Sequence, residues 1–169
     1  LADAFPSLLK LDAAFVVAGH GDKALEDRLE RACAGARDRA RFLGRISEAR
    51  SHQLYAAADI VLVPSRYEPC GLVQMYAQRY GAIPVACRTG GLVDSVVDAD
   101  MDGITGTGFL FDGPTAPNLV GAVQRAVAVS RTNLWGKLVK RVMRLDRAWD
   151  RPARRYVQVY KNAVAAAAR

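Results

Sequence analysis

The sequence predicts an α/β protein with a doubly wound parallel sheet of about five strands, finished by C-terminal helices. Three observations carry that prediction. Short β-branched apolar runs alternate with helix-length segments from residue 13 to residue 111. The runs are apolar without alternation, as strands covered on both faces must be. Polar, glycine-bearing breaks follow the ends of several strands, at the carboxyl edge where open α/β sheets bind ligands.

Each element follows from local residues. Leu1, Phe5, Leu8, Leu9 and Leu11 lie at near-helical spacing interrupted by Pro6, which reads as the end of a helix packed on something upstream. Residues 13–18 form a buried strand closed by Gly19, His20, Gly21 and Asp22. From 23 to 36, Leu25, Leu29, Ala32 and Cys33 oppose Glu26, Asp27, Arg28, Glu30 and Arg31, the pattern of an amphipathic surface helix. Residues 40–44 are a short strand, and Ser47 with Glu48 caps a helix running to 58. The run Ile60, Val61, Leu62, Val63 places a strand buried on both faces at 59–64. A helix at 71–80 and a strand at 83–87 follow; Pro84 cannot donate to a ladder, which favours an edge or a bulge. A short helix at 92–97 carries Asp94 in its first turn. Residues 98–107 read as a polar, glycine-rich loop and 108–111 as the fifth strand. Helices at 116–130, 133–145 and from 149 or 152 to 168 complete the chain. Right-handed crossovers connect the parallel strands.

At 169 residues, 51% of them apolar, the chain suits one domain with a substantial core. The basic residues behind the net charge of +7 are spread along the chain, with their densest run, Lys137, Lys140, Arg141, Arg144, Arg147, Arg151, Arg154 and Arg155, near the C-terminus. Their helical spacing reads as a solvated helix face, so no nucleic-acid partner is assigned. Cys33, Cys70 and Cys87 are odd in number and lack pairing or zinc spacing, which fits a reducing compartment. No apolar run approaches the roughly 18 residues that span a membrane, and the opening residues carry no signal pattern. The absence of an initiator Met and the mid-helix opening point to a truncated chain.

The candidate site centres on Glu68, beyond the carboxyl end of the third strand. Gly71 lets a ligand approach the backbone closely, and the free N–H groups of Gly71, Leu72 and Val73 at a helix start form an anion site. Together they suit a phosphate beside a polyhydroxyl group. The plainer alternative makes Glu68 a solvated loop residue and Gly71 a turn. Thr89, Gly90 and Gly91 repeat the strand-to-helix device one crossover later. Cys70 has no base near it in sequence, which favours a contact role over a nucleophilic one. Tyr76 falls on a stripe with Leu72 and Tyr80 that also suits a core aromatic. His20 and His52 have no neighbours at ligand spacing, so no metal is assigned and His52 reads as structural.

Residues 65–81, SRYEPCGLVQMYAQRYG, and 88–96, RTGGLVDSV, closely resemble the bacterial glycogen synthases and plant starch synthases. These are retaining glycosyltransferases built from two Rossmann-like domains, the GT-B arrangement. The resemblance extends to 19–22, to Ser51 and His52, to 108–111 and to the ending WDRPARRYVQVY at 149–160. It implies that the whole chain is most of one Rossmann-like half, the C-terminal nucleotide-sugar domain. The N-terminal acceptor domain and the first strand of this half, with its arginine and lysine, would lie outside it. The implied reaction is glucosyl transfer from ADP-glucose to the 4-hydroxyl at the non-reducing end of an α-1,4-glucan, with neither metal nor cofactor and in the bacterial cytoplasm or the plastid stroma. By resemblance, Glu68 holds hydroxyls of the donor glucose at the catalytic centre, and Cys70, Gly71 and Leu72 line the sugar and diphosphate. Thr89, Gly90 and Gly91 form the adjoining wall. Tyr76 stands where related transferases carry a ribose-binding glutamate. Ile46 replaces a tyrosine that stacks on adenine in many bacterial members, and Val73 replaces a frequent threonine. The family's last helix crosses to the other domain, so its apolar face should be exposed here. The implied partners are the nucleotide sugar, the glucan and the N-terminal domain, with no membrane. Two alternatives stand beside this reading: a non-catalytic domain binding glucan or a partner, and a GT-B transferase using a UDP-sugar.

Overall fold

The computed structural model describes residues 1–99 and 105–168. Its elements alternate as the hydrophobic pattern requires: α1 (Phe5–Leu8), β1 (Phe15–Ala18), α2 (Lys23–Ala34), β2 (Ala40–Gly44), α3 (Glu48–Ala57), β3 (Ile60–Val63), α4 (Val73–Tyr80), β4 (Ile83–Cys87), α5 (Leu92–Ser95), β5 (Phe109–Phe111), α6 (Ala116–Ser130), α7 (Trp135–Met143) and α8 (Asp150–Ala167). Side-chain caps set three of the helix starts. Asp22 accepts from the Leu25 amide at 3.1 Å, Ser47 from Arg50 at 3.3 Å and Thr115 from Asn118 at 3.4 Å.

All pairings among the named strands are parallel, but the five strands divide into a β1–β2 pair and a β3–β4–β5 sheet. The five strands, their parallel sense and the C-terminal helices are as predicted, and the grouping into two sheets refines the predicted single sheet. The division also explains a difference in burial. β4 and β5 are buried at every residue, whereas β1 alternates between half-buried and exposed, and β3 buries only Val63 fully. β3 is an end strand of its sheet, and Val16 on β1 is 54% exposed. One core nevertheless joins the two groups. Ile83, Val85, Phe109, Leu119, Val123, Leu138 and Val142 are buried in it, and Phe15, Val17, Phe42, Ile60 and Leu62 pack against it. Burying a side chain of that size removes it from water at a gain of about 1.5–3 kcal/mol; α6 and α7 cover the β3–β4–β5 sheet, and α1, packed on α2 and α6 with Phe5 against Phe15 of β1, links it to the strand pair.

Three further features add to the sequence pattern. α1 packs on α2 and α6, with Phe5 edge-on to Phe15 at 5.9 Å. Pro84 sits in the central strand β4, in register with Val61. The Ile83 N–H bonds Asp59 on the β3 side at 2.8 Å, so the next nitrogen, that of Pro84, faces β5. There the β4–β5 register begins only at Val85, and Gly108 lies against the proline ring, so no β3–β4 bond is lost. Third, the predicted loop at 98–107 is tied at both ends by an Asp98–Gly108 bridge, while its centre lies outside the described residues. Asp98 Oδ1 accepts from the Leu110 amide at 2.6 Å and from Arg125 Nη2 at 3.2 Å, which fixes β5 against α6.

α8 buries none of its residues, and Tyr156, Val157, Val159, Tyr160 and Val164 are exposed along it. Among the described residues no helix is long and apolar enough to cross a membrane.

Candidate functional site

Two loops at the carboxyl edge of the β3–β4–β5 sheet are joined backbone to backbone. One runs from Pro64 at the end of β3 to Leu72 at the start of α4; the other is Thr89–Gly91 between β4 and α5. The Gly91 amide donates to the Glu68 carbonyl at 2.9 Å, and Thr89 Oγ1 donates to the Arg66 carbonyl at 3.4 Å. The closeness of this junction explains the glycines. A Cβ on Gly90, whose φ is +47°, would lie 2.0 Å from the Glu68 carbonyl oxygen; one on Gly91 would lie 2.6 Å from the Cys70 Cα. Real Cβ contacts do not come so close, so side chains there would separate the loops. The structure therefore brings Glu68, Cys70, Gly71, Thr89, Gly90 and Gly91 into one tightly packed junction.

Within it, the Glu68 carboxylate accepts from Ser65 Oγ at 3.4 Å. A carboxylate has about four lone-pair sites, so this bond leaves it able to accept from ligand hydroxyls. Gly71 adopts φ +73°, a left-handed conformation that reverses the chain before α4. The helix itself begins at Val73 with Leu72 as its uncapped N-terminal flank, two residues later than predicted. The reason is that Gly71 is left-handed and cannot be a helical residue. The amides without an intrahelical acceptor thus belong to the Leu72–Val73 turn and the first residues of α4, and they carry the positive end of the helix dipole. Cys70, Leu72 and Val73 are exposed beside them. Arg88, the cation next to Thr89, pairs with Asp112 at 2.9 Å.

The remaining predicted site residues are placed elsewhere or do other work. Ile46 is half-buried at the carboxyl end of β2, in the strand pair rather than the three-stranded sheet. Tyr76 is 38% exposed and not a core aromatic. It meets His52 edge-on at 5.2 Å and stacks on Tyr55 at 6.1 Å. Tyr80 joins the same group, so the stripe on α4 faces α3 and holds that helix to the sheet. Burial in this cluster pushes the Tyr55 hydroxyl up. His52 packs its ring among Tyr55, Tyr76 and Tyr80, and among the described residues its buried Nδ1 has no hydrogen-bond partner. Arg147 leaves the predicted solvated face: its Nη2 donates to the Ser95 carbonyl at 2.6 Å and to Gln78 Oε1 at 3.1 Å, and burial lowers its pKa.

Sequence reasoning missed three buried polar residues: Gln74 and Ser95, which bond the two loops, and Gln78, which bonds the Ser95 and Thr107 carbonyls. The available signal was a pair of glutamines one turn apart, bracketing Ala77 on the inward face of α4.

Comparison with known proteins gives consistent results. Residues 1–128 match the family described as "Glycosyl transferases group 1". A glycogen synthase of Anaeromyxobacter sp. (strain K) is 42% identical over 164 residues, covering 96% of this chain and 34% of that protein. Glycogen synthase 1 of Rhizobium meliloti is 38% identical over 169 residues, covering 98% of this chain and 35% of its own length. Among solved structures, the catalytic domain of starch synthase IV from Arabidopsis thaliana, bound to ADP and acarbose, superposes with a TM-score of 0.85 at 36% identity. That match covers 96% of this chain and 35% of the other. The chain spans about a third of the length of the curated relatives it matches.

Proposed function

This chain belongs to the glycosyl transferases group 1 family, and on that basis we propose that it is the donor-binding half of a glycogen- or starch-synthase-type glucosyltransferase. The observation that carries the reading is the backbone-to-backbone junction of the Glu68–Leu72 and Thr89–Gly91 loops. It presents a carboxylate and an uncapped helix start on one edge.

The chemistry follows from that pairing. When a nucleotide sugar transfers its glucosyl group, the bond from C1 to the diphosphate breaks and negative charge builds on the leaving phosphate. Oriented N–H groups at the start of α4 would stabilise that charge more in the transition state than in the ground state. Glu68 would accept from hydroxyls of the glucose and hold the ring over the helix start. Cys70 and Leu72 would flank the sugar, and Gly90 and Gly91 leave room for it. Ile46 would give the base an apolar contact in place of an aromatic stack, while Tyr76, packed on His52 and Tyr55, would act on the ribose only through the position of α3. The reading assigns ADP-glucose as donor, an α-1,4-glucan as acceptor, and neither metal nor cofactor.

Two features support the completion of the site by further segments. Among the described residues β3 has an unpaired edge, which suits addition of a parallel strand. α8 exposes an apolar face, which suits docking on a second domain. The chain alone should therefore bind donor weakly and transfer nothing. Calorimetry with ADP, UDP and maltoheptaose tests this. Saturable binding of ADP, stronger than that of UDP, supports the proposal. A preference for UDP would reassign the donor, and glucan binding without a response to either nucleotide would make the chain a glucan-binding domain.

A further inference from the structure

Gln74 and Gln78 project from adjacent turns of α4 and are buried at 0% and 1% exposure. Apolar side chains would fill those positions without the cost of burying an amide, so the hydrogen bonds they make need an explanation. Gln74 Nε2 lies 2.9 Å from the Gly71 carbonyl, 3.0 Å from the Cys70 carbonyl and 2.9 Å from Ser95 Oγ. Ser95 Oγ in turn donates to the Gly91 carbonyl at 2.9 Å. Gln78 Nε2 donates to the Thr107 carbonyl at 3.1 Å, and Arg147 reaches both Gln78 Oε1 and the Ser95 carbonyl. The two N–H groups of the Gln74 amide are thus shared among three acceptors, two carbonyls of one loop and the Ser95 hydroxyl that donates to the other, and Gln78 ties the Thr107 carbonyl to Arg147.

The effect on the loop comes from peptide geometry. In a trans peptide the carbonyl of one residue and the N–H of the next point in opposite directions. Drawing the Cys70 carbonyl inward turns the Gly71 N–H outward, and drawing the Gly71 carbonyl inward does the same for the Leu72 N–H. The contact is close: a Cβ on Gly71 would lie 2.6 Å from Gln74 Oε1. That oxygen is itself buried without a donor, a cost accepted to keep the amide's nitrogen on the two carbonyls.

We propose that Gln74 is a positioning residue of this cradle: its carboxamide holds two successive carbonyls inward so that the Gly71 and Leu72 N–H groups face the phosphates of a bound nucleoside diphosphate. The phosphate part of this rests on the donor-binding reading, whereas the orientation of the two amides does not.

Amide hydrogen exchange on the 15N-labelled 169-residue chain, with ADP and inorganic pyrophosphate as probes, separates the two. In the unmodified chain the Gly71 and Leu72 amides should exchange fast when free and gain protection with either probe. Slow exchange of both amides in the free chain would overturn the proposal. In Gln74→Leu, which keeps the volume and removes the donor, affinity for both probes should fall about tenfold, the scale of one charge-assisted hydrogen bond. Cooperative thermal unfolding should persist, with the Gly71 and Leu72 resonances displaced. Should that variant not fold, Gln74→Met carries the same expectation. Unchanged affinity and unchanged amide resonances in a folded variant would overturn the role. Failure of the unmodified chain to bind either probe would contradict the donor reading, while the exchange rates still decide the orientation.

Discussion

Glu68 and the glycines around it make opposite kinds of demand, one chemical and one steric, and substitutions separate them. Glu68→Gln should weaken binding of ADP-glucose about tenfold, the scale of a hydrogen bond to a charged group, while leaving ADP affinity nearly unchanged; paired titrations read the difference. Gly90→Ala forces a Cβ to within 2.0 Å of the Glu68 carbonyl at a positive φ. It should destabilise the fold by about 2 kcal/mol or more. Gly121→Ala, in α6 with open space around the position, should instead stabilise by about 0.5–1 kcal/mol. Urea midpoints compare the two. The buried thiols set a pH limit. Burial raises the pKa of Cys33 and Cys87 above 9.0, so their contribution is intact below that pH and is lost as pH rises through the higher folded values. Stability should fall on the alkaline side, and less steeply in the Cys33→Ala, Cys87→Ala double variant relative to its own value at neutral pH. Glu68, Gly71, Gly90 and Gly91 were legible because strand-to-helix junctions announce themselves by composition. Gln74 was not, since its role depends on where two carbonyls point.

At the scale of elements, periodicity located every helix and strand, and the errors came from neighbours. β2, β4 and α6 have the bounds their residues predict. α4 begins late because Gly71 is left-handed, and Pro84 is tolerated mid-sheet because its nitrogen faces the side where the ladder has not begun. Both depend on backbone direction, which hydrophobic pattern does not encode. The exposed apolar face of α8 was foreseen and has a consequence in solution. Tyr156, Val157 and Tyr160 present a patch that water does not solvate well, so the chain should self-associate as concentration rises. Sedimentation velocity should show this, and a Tyr156→Glu, Tyr160→Glu variant should sediment as a monomer with unchanged thermal stability. A chain that stays monomeric at high concentration would contradict that account of α8.

The whole molecule has a main core that reaches both strand groups and a smaller cluster of Val63, Ala86, Leu92, Val96 and Leu110, and the division between the strand groups was the feature least visible in advance. Strand identity is local, but pairing depends on which strands are present to fill each edge. Alternation of strand and helix therefore predicted the strand number and the parallel sense, while the grouping of the strands, which depends on which edges meet, was not encoded in it. The site survives this division because both of its loops grow from the β3–β4–β5 sheet, which is tied to α6 and α7. The most direct test of the donor cradle is therefore a residue-by-residue map of ADP-glucose on the 15N-labelled chain. The amides of Gly71, Leu72, Val73, Thr89, Gly90 and Gly91 should shift together and saturate at one ligand per chain. Shifts confined to α7 or α8, or none on a folded chain at saturating ligand, would contradict it.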